Sequence, residues 1–515
     1  MLPPPTDLLP SASPATEPEP LPDVPLRVFV ERFNVVGSTV FSEAELAAVT
    51  APFQGRELTF AELLQARSAV TQLYIDRGYI TSGALIPPQT LEGGVVTIQV
   101  IEGSIETINV TGTRRLNPSY VRSRIGLGTA APLNQMRLLE ALQLLQLDPL
   151  IQTISADLQA GTRPGTSVLQ VAVQEADAFN VQLELDNNRS PSVGSFRRRI
   201  EFEQANLTGL GDALSVDYAN TDGSNEVNAS YSLPLNPRNG TIRLAAGLAN
   251  SRVIQEPFDA ADITAPSRYF ELSYRQPLIL TPTEELALGI TASRQESQTK
   301  VAGEGTPLSL DADEQGRTRV SALRFFQEWT ERSSQHVFAV RSQFSLGLDW
   351  LDASVSDDFP DSRFLAWRGQ SQWVRLLAPD TLLLVRGDLQ LSDQPLVALE
   401  QFSLGGGQSV RGYRQDALLT NDGAFFSTEL RLPVLRVAEI NGLLQIAPFI
   451  DAGTAWNNPE TLDPSTLVGV GLGLIWQQQD LSVRLDWGIP LVTLEGDKQT
   501  WQENGVYFSV IYSPF

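Results

Sequence analysis

The chain has 515 residues, 19% of them charged and 42% hydrophobic, a balance too apolar for a disordered chain and too polar for a helical membrane protein. A formal charge of −23 argues against nucleic-acid binding, which needs a basic surface, and the absence of cysteine excludes a disulfide frame or a thiolate metal site. No segment approaches the ~18 consecutive apolar residues of a spanning helix, so any membrane crossing must be made by strands of a closed barrel.

Residues 1–26 form a Pro-rich N-terminal tail or linker that cannot bury a core. Met1-Leu2-Pro3-Pro4-Pro5 lacks the basic and apolar regions of a signal peptide and reads as the start of a mature chain. From 27 to 103 the pattern is β-α-α-β-β. A strand runs from Val28 to Val35, and two helices follow, each opened by a capping box, Ser42 with Glu45 and Thr59 with Glu62. In the second helix Phe60, Leu63, Leu64, Val70, Leu73 and Tyr74 recur at helical spacing and predict one buried stripe. Strands are expected near Thr81–Ile86 and Gly94–Ile101. Residues 104–176 repeat the plan, with strands at Ile105–Val110, Ile151–Leu158 and Ser167–Gln174 and helices at Pro118–Ile125 and Asn134–Leu147.

Beyond Glu175 the helical period disappears, and from 177 to 515 apolar and polar residues alternate in sixteen segments separated by turn residues. Leu481, Val483, Leu485 and Trp487, for example, alternate with Asp480, Ser482, Arg484 and Asp486. A soluble β-sandwich or propeller also alternates, but all eight tryptophans lie in this part and several fall at strand ends, where a membrane barrel carries its aromatic girdle. Acidic segments such as Ser356-Asp357-Asp358-Phe359-Pro360-Asp361 suit solvent-facing loops. The last strand, from Val506, ends on Phe515, as bacterial outer-membrane proteins do. The fold class is therefore α+β modules followed by an all-β transmembrane barrel of about 16 antiparallel strands.

Three groups of residues carry a family resemblance. Tyr74, Gly78, Tyr79 and Ser82, with Pro88, Gln89 and Val100-Ile101-Glu102-Gly103, resemble the first POTRA module of two-partner secretion translocators, the TpsB or hemolysin activation/secretion proteins. Phe402 to Tyr413, with Val410-Arg411-Gly412-Tyr413, resembles that family's long-loop signature, and Phe449-Ile450-Asp451-Ala452-Gly453 resembles its barrel motif. The resemblance runs from about residue 27 to the end. It implies POTRA 1 at 27–103, POTRA 2 at 104–176, a barrel at 177–515 and an inward-folding loop near 391–422. It implies an outer-membrane location with the POTRA modules in the periplasm, binding unfolded substrate.

In the alternation Gln445, Ala447, Phe449 and Asp451 face the lumen, where a lone carboxylate needs a cation or water. The resemblance implies that Arg411 is its partner, either as scaffolding or as part of transport. Gly405, Gly406, Gly407 and Gly412 let the loop turn tightly, and Gly469, Gly471 and Gly473 leave room on the inward face of the next strand. The implied function is secretion of a partner exoprotein bearing an N-terminal secretion domain, by a monomer embedded in outer-membrane lipid. An assembly insertase of the same superfamily is the alternative, with a passive porin behind it. The family's N-terminal plug helix does not carry over to the Pro-rich tail.

No catalytic residue, cofactor or metal is expected. Gly407-Gln408-Ser409-Val410-Arg411 ends on Arg where a nucleophile elbow needs Gly, and Tyr413-Arg414 stands where a P-loop needs Lys and Ser or Thr. His336, the single histidine, sits near a strand end and reads as an interfacial side chain.

Overall fold

A computed structural model describes residues 27–356, 360–457, 462, 464–494 and 499–514. The Pro-rich tail, Asp357 to Phe359 of the acidic loop and the terminal Phe515 lie outside the described residues. The chain divides into two compact units that part between Ala176 and Asp177.

In the first unit, β1 (Val28–Val30) and β2 (Arg32–Val36) precede α1 (Glu43–Thr50), β3 (Arg56–Leu58) and α2 (Phe60–Asp76); β4 (Gly83–Leu85) and β5 (Val95–Ile101) follow. The strand expected over Val28–Val35 is in fact two. At Glu31 the backbone changes partners: β1 pairs antiparallel with β3, and β2 pairs parallel with β5. The Glu31 amide is satisfied at the break by the Gly94 carbonyl, at 2.8 Å. Both capping boxes form, Ser42 with Glu45 and Thr59 with Glu62. The Glu62 carboxyl is lowered to about 2 by the Arg56 guanidinium and by the amide and hydroxyl of Thr59. The buried stripe of α2 is Leu63, Ala66, Val70 and Tyr74. Phe60, at the N1 position that opens the helix, is instead exposed, and Leu64 and Leu73 are only half-buried.

The second half of this unit runs β6 (Ser104–Thr111), α3 (Pro118–Gly126), α4 (Gln135–Gln146), β7 (Ile151–Ala160) and β8 (Thr166–Glu175), with sheet order β6-β8-β7. Asn134 caps α4. Leu138, Leu142 and Leu145 pack with Leu169 and Val171 in a core of their own. The two halves are joined by backbone bonds, Gln135 N to Gly78 O at 2.8 Å and Leu133 N to Gly103 O at 2.7 Å.

The second unit is a closed antiparallel barrel. Its strands begin with β9 (Phe179–Asp186), β10 (Arg197–Ala205), β11 (Ala213–Asn220), β12 (Ser224–Pro234) and β13 (Thr241–Arg252). Then come β14 (Ile263–Leu280) and β15 (Glu284–Gln298), with a small hairpin of β16 (Lys300–Val301) and β17 (Glu304–Gly305) beyond the rim. The wall continues through β18 (Arg317–Arg332), β19 (His336–Leu348), β20 (Leu365–Ala378) and β21 (Thr381–Ser392). A loop hairpin, β22 (Phe402–Leu404) with β23 (Leu418–Thr420), comes before the last five strands. These are β24 (Asp422–Val437), β25 (Gly442–Trp456), β26 (Thr466–Gln478), β27 (Leu481–Pro490) and β28 (Val506–Tyr512), which closes on β9. Leaving out the two hairpins, sixteen strands form the wall.

Polarity is inverted relative to a water-soluble fold. Leu244, Leu248, Phe270, Leu272, Ile290, Phe344, Leu472 and Leu485 are exposed on the outer face, whereas arginine–carboxylate pairs such as Arg275–Glu328 and Arg368–Asp388 line the inside. An outer apolar band around a polar lumen is the arrangement lipid requires. Trp456 ends its strand, Trp367 and Trp476 lie two residues from an end, and Trp350 and Trp501 fall in the connections just beyond; Trp373 is mid-strand. One end of the barrel has short turns. The other carries the longer connections, and β9 starts at the short-turn end.

Candidate functional site

The connection from β21 to β24, residues 393–421, folds into the lumen. Its β22–β23 hairpin sets Phe402 and Leu404 with Val410 and Tyr413 against Phe425, Ala455 and Leu467 of the wall in one buried cluster. Gly412 adopts φ +110, and a Cβ there would meet the backbone of Ile489 and Pro490 at 3.0–3.3 Å. The wall is equally bare: a Cβ on Gly469 would lie 1.9 Å from the Arg411 carbonyl oxygen, and one on Gly488 2.6 Å from the Gly412 nitrogen. Loop and wall thus meet backbone to backbone, which only glycine allows. Gly471 and Gly473 make room for Phe449 and Asp486 rather than for the loop.

Arg411 is 1% exposed and Asp451 0%. Arg411 donates from Nε to Asp451 Oδ2 at 2.7 Å, from Nη2 to Oδ1 at 2.9 Å, and from its backbone amide to Oδ2 at 3.1 Å. Nη1 donates to Glu429 Oε2 at 2.7 Å, and the Phe449 ring lies 3.4 Å beneath the guanidinium. Ser427 Oγ donates to Asp451 Oδ1 at 2.6 Å. Arg484 holds the far side, donating to Glu429 at 2.6 Å and to Asp486 at 2.6 Å, and Arg431 reaches Glu429 at 2.9 Å. A buried charge costs several kcal/mol unless paired and hydrogen-bonded, and here every carboxylate has a guanidinium. Tyr413 Oη sits against the backbone of Val468 and Val492, and Tyr507 Oη accepts from the Gly412 amide at 2.9 Å while donating to the Tyr413 carbonyl. Gly453 lies under Leu404, where a Cβ would come within 2.8 Å.

Glu429, Arg484, Asp486, Ser427 and Tyr507 are absent from the motif-based set. A signal exists for four of them: Ser427 and Glu429 alternate on one face of β24, and Arg484 and Asp486 on one face of β27. Tyr507, on the terminal strand, has none.

The first unit's signature residues hold its corner together. Tyr74 stacks edge-on with Phe41 and Tyr79, and its hydroxyl, pushed up to about 12 by burial, reaches Ser38 and Glu102. Gly78 supplies the carbonyl that binds Gln135, and Ser82 Oγ accepts from the Gly103 amide at 2.9 Å. Gln89 extends the sheet by bonding both the amide and the carbonyl of Thr97, at 2.7 and 2.8 Å; Pro88 beside it is exposed. His336 opens β19, with Nδ1 2.9 Å from Ser333 Oγ. Among the described residues no group of His, Cys, Asp and Glu is placed to hold a metal.

A closed barrel with a polar lumen, an ion-paired loop inside it and α+β modules ahead of it defines the class of POTRA-bearing outer-membrane transporters. Within that class the chain belongs to the haemolysin secretion/activation protein family ShlB/FhaC/HecB, whose profile matches residues 165–475, while the ShlB-type POTRA domain matches 28–103. It is similar to the outer membrane transporter CdiB of Dickeya dadantii, at 25% identity covering 88% of this chain and 81% of that protein. The heme/hemopexin transporter protein HuxB of Haemophilus influenzae is 22% identical, covering 84% and 77%. The solved CdiB from Escherichia coli superimposes with a TM-score of 0.72 at 21% identity, covering 98% of this chain and 92% of that one. BamA from Haemophilus ducreyi shares the fold, with a TM-score of 0.56 at 14% identity over 95% and 100% of the two chains. The protein is an outer-membrane transporter with its POTRA domain in the periplasm.

Proposed function

We propose that the chain exports a partner exoprotein across the outer membrane by two-partner secretion, threading it unfolded through the lumen past the Arg411-anchored loop. The observation that carries this reading is the anchor itself, a loop of the lumen held by a buried ion network rather than by the wall's own ladder. Residues 104–176 act as a second POTRA module. Capture in the periplasm uses strand addition, with backbone bonds giving sequence-tolerant binding; β7 pairs on one side only, with β8, which leaves a ten-residue edge among the described residues. Val410, Arg411, Gly412 and Tyr413 form the movable side of the lumenal lock, and Phe449, Asp451 and Gly453 the fixed side. The exoprotein carries an N-terminal secretion domain, the transporter works as a monomer in outer-membrane lipid, and it catalyses no reaction and uses no cofactor.

Membership of a secretion family favours export over insertion of other barrels, since the likeness to BamA is one of fold. The test is Arg411→Ala, with export of the co-encoded exoprotein measured per folded barrel. Lost export at normal barrel level supports the reading; undiminished export makes the network scaffolding only.

A further inference from the structure

One region of the barrel's outer face departs from a plain lipid-facing surface. Strand register puts Leu244, Leu272, Ala292, Leu323 and Leu346 in one row across β13, β14, β15, β18 and β19. The row above, toward the long-loop end, is Ala246, Phe270, Arg294 and Ser321; the next is Leu248, Arg268, Glu296 and Arg319. Register fixes the side as well as the level, because residues two apart on a strand share a face. The arginines therefore project from the same outer face as the leucines, one or two steps of ~6.6 Å above them.

Two hollows follow these rows. The lower, about 500 Å³, is apolar, and small residues (Ala229, Ala246 and Ala292) give it depth between Leu244, Phe270 and Leu323. The upper, about 630 Å³, is lined by Arg268, Arg294, Arg317 and Arg319 against two carboxylates, Glu296 and Asp352. Even with Asp313, which pairs with Arg319 beyond the lining, four cations face three carboxylates, a cationic balance in a chain with 37 basic and 60 acidic residues. Arg294 is fixed by Glu296 at 3.0 Å and Ser321 at 3.0 Å, and Arg319 by Asp313 at 3.0 Å. Arg268 pairs with Glu296 yet remains exposed, and the Arg317 guanidinium has no ion pair among the described residues. The connection after β19 folds back over β18, with Ser354 N donating to Arg319 O at 2.8 Å, so that exposed Leu351 lines both hollows and exposed Trp350 the lower one.

The geometry points to a binding site for a phosphate-bearing, multi-chain glycolipid of the outer leaflet, with acyl chains in the lower hollow and phosphate on Arg268 and Arg317. Guanidinium forks match phosphate oxygens, and Arg294 and Arg319, held by their own carboxylates, supply a preorganised floor. The apolar hollow lies where hydrocarbon lies, and the cationic one where headgroup phosphates lie. The site rests on the outer-membrane placement and not on export, so lipid binding and secretion fail independently.

The test uses the purified full-length chain in detergent, with diphosphoryl lipid A as probe and native mass spectrometry as readout. Saturable binding is expected, about tenfold or more weaker in R268Q/R317Q, from two lost charge-assisted contacts. The same lipid stripped of phosphate is expected to bind the unaltered chain as weakly. A246W, which fills the apolar hollow and leaves the arginines in place, is expected to weaken binding as well, and it keeps the test open should R268Q/R317Q fail to fold, as judged by heat-modifiable migration. Equal binding of the dephosphorylated lipid, or unchanged binding in folded R268Q/R317Q or A246W, overturns the site. Displacement of the lipid by inorganic phosphate at similar concentration also overturns it, leaving a free-anion site.

Discussion

At Arg411 a guanidinium meets Asp451, Glu429 and, at 3.7 Å, Asp486, and what matters is what remains when one member leaves. Removing one partner of a buried pair strands the other charge and costs about 3–5 kcal/mol, whereas exposed pairs contribute about 0–1 kcal/mol. Arg411→Ala is thus expected to release the loop, seen as new protease cleavage within 393–421 in a barrel that still migrates as folded. Arg411→Lys should rescue little, because an ammonium cannot span both Asp451 oxygens and Glu429 together. Gly469→Ala tests the same seat from the wall side. Its methyl would stand 1.9 Å from the Arg411 carbonyl oxygen, and overpacking of about 1–3 kcal/mol is expected to unseat the loop although no charge has changed. A loop that stays protected in G469A would contradict the backbone-to-backbone contact.

Among the elements, Glu175 at the end of β8 has the clearest pH dependence. Burial pushes its carboxyl up, but the amides of Arg114, Leu116 and Arg115, at 2.5, 2.9 and 3.0 Å, outweigh that and leave it below the usual range. A lowered folded-state value gives stability that is complete above the unfolded value of about 4.3 and lost as pH falls through the folded one. Thermal melts of residues 27–176 should therefore lose stability at acid pH more steeply in the unaltered sequence than in Glu175→Gln, and parallel curves would contradict this assignment.

The elements are also where sequence was most and least informative. Both capping boxes and the alternation were readable because each is a local rule satisfied within a few residues. The break at Glu31 was not, since it comes from a change of partner to β3 and β5, far along the chain. Likewise Phe60 fits the helical period yet is exposed, at the first position of its helix. At the site, Arg411 and Asp451 were legible through motifs, and Asp451 through strand parity as well. Glu429 and Arg484 lie on different strands, and parity marks them as inward without saying that they meet.

For the whole molecule, outward leucines and inward ion pairs make the barrel a conduit only if the partner travels inside it. Gln372 faces the lumen beside Arg386, whereas Leu472 and Leu244 face lipid. A photo-reactive side chain at each position, activated during export of the co-encoded exoprotein, reports the path directly. The account predicts adducts with the exoprotein from position 372 and none from positions 472 or 244. Adducts from the lipid-facing positions alone, or continued export with none from the lumen, would contradict it.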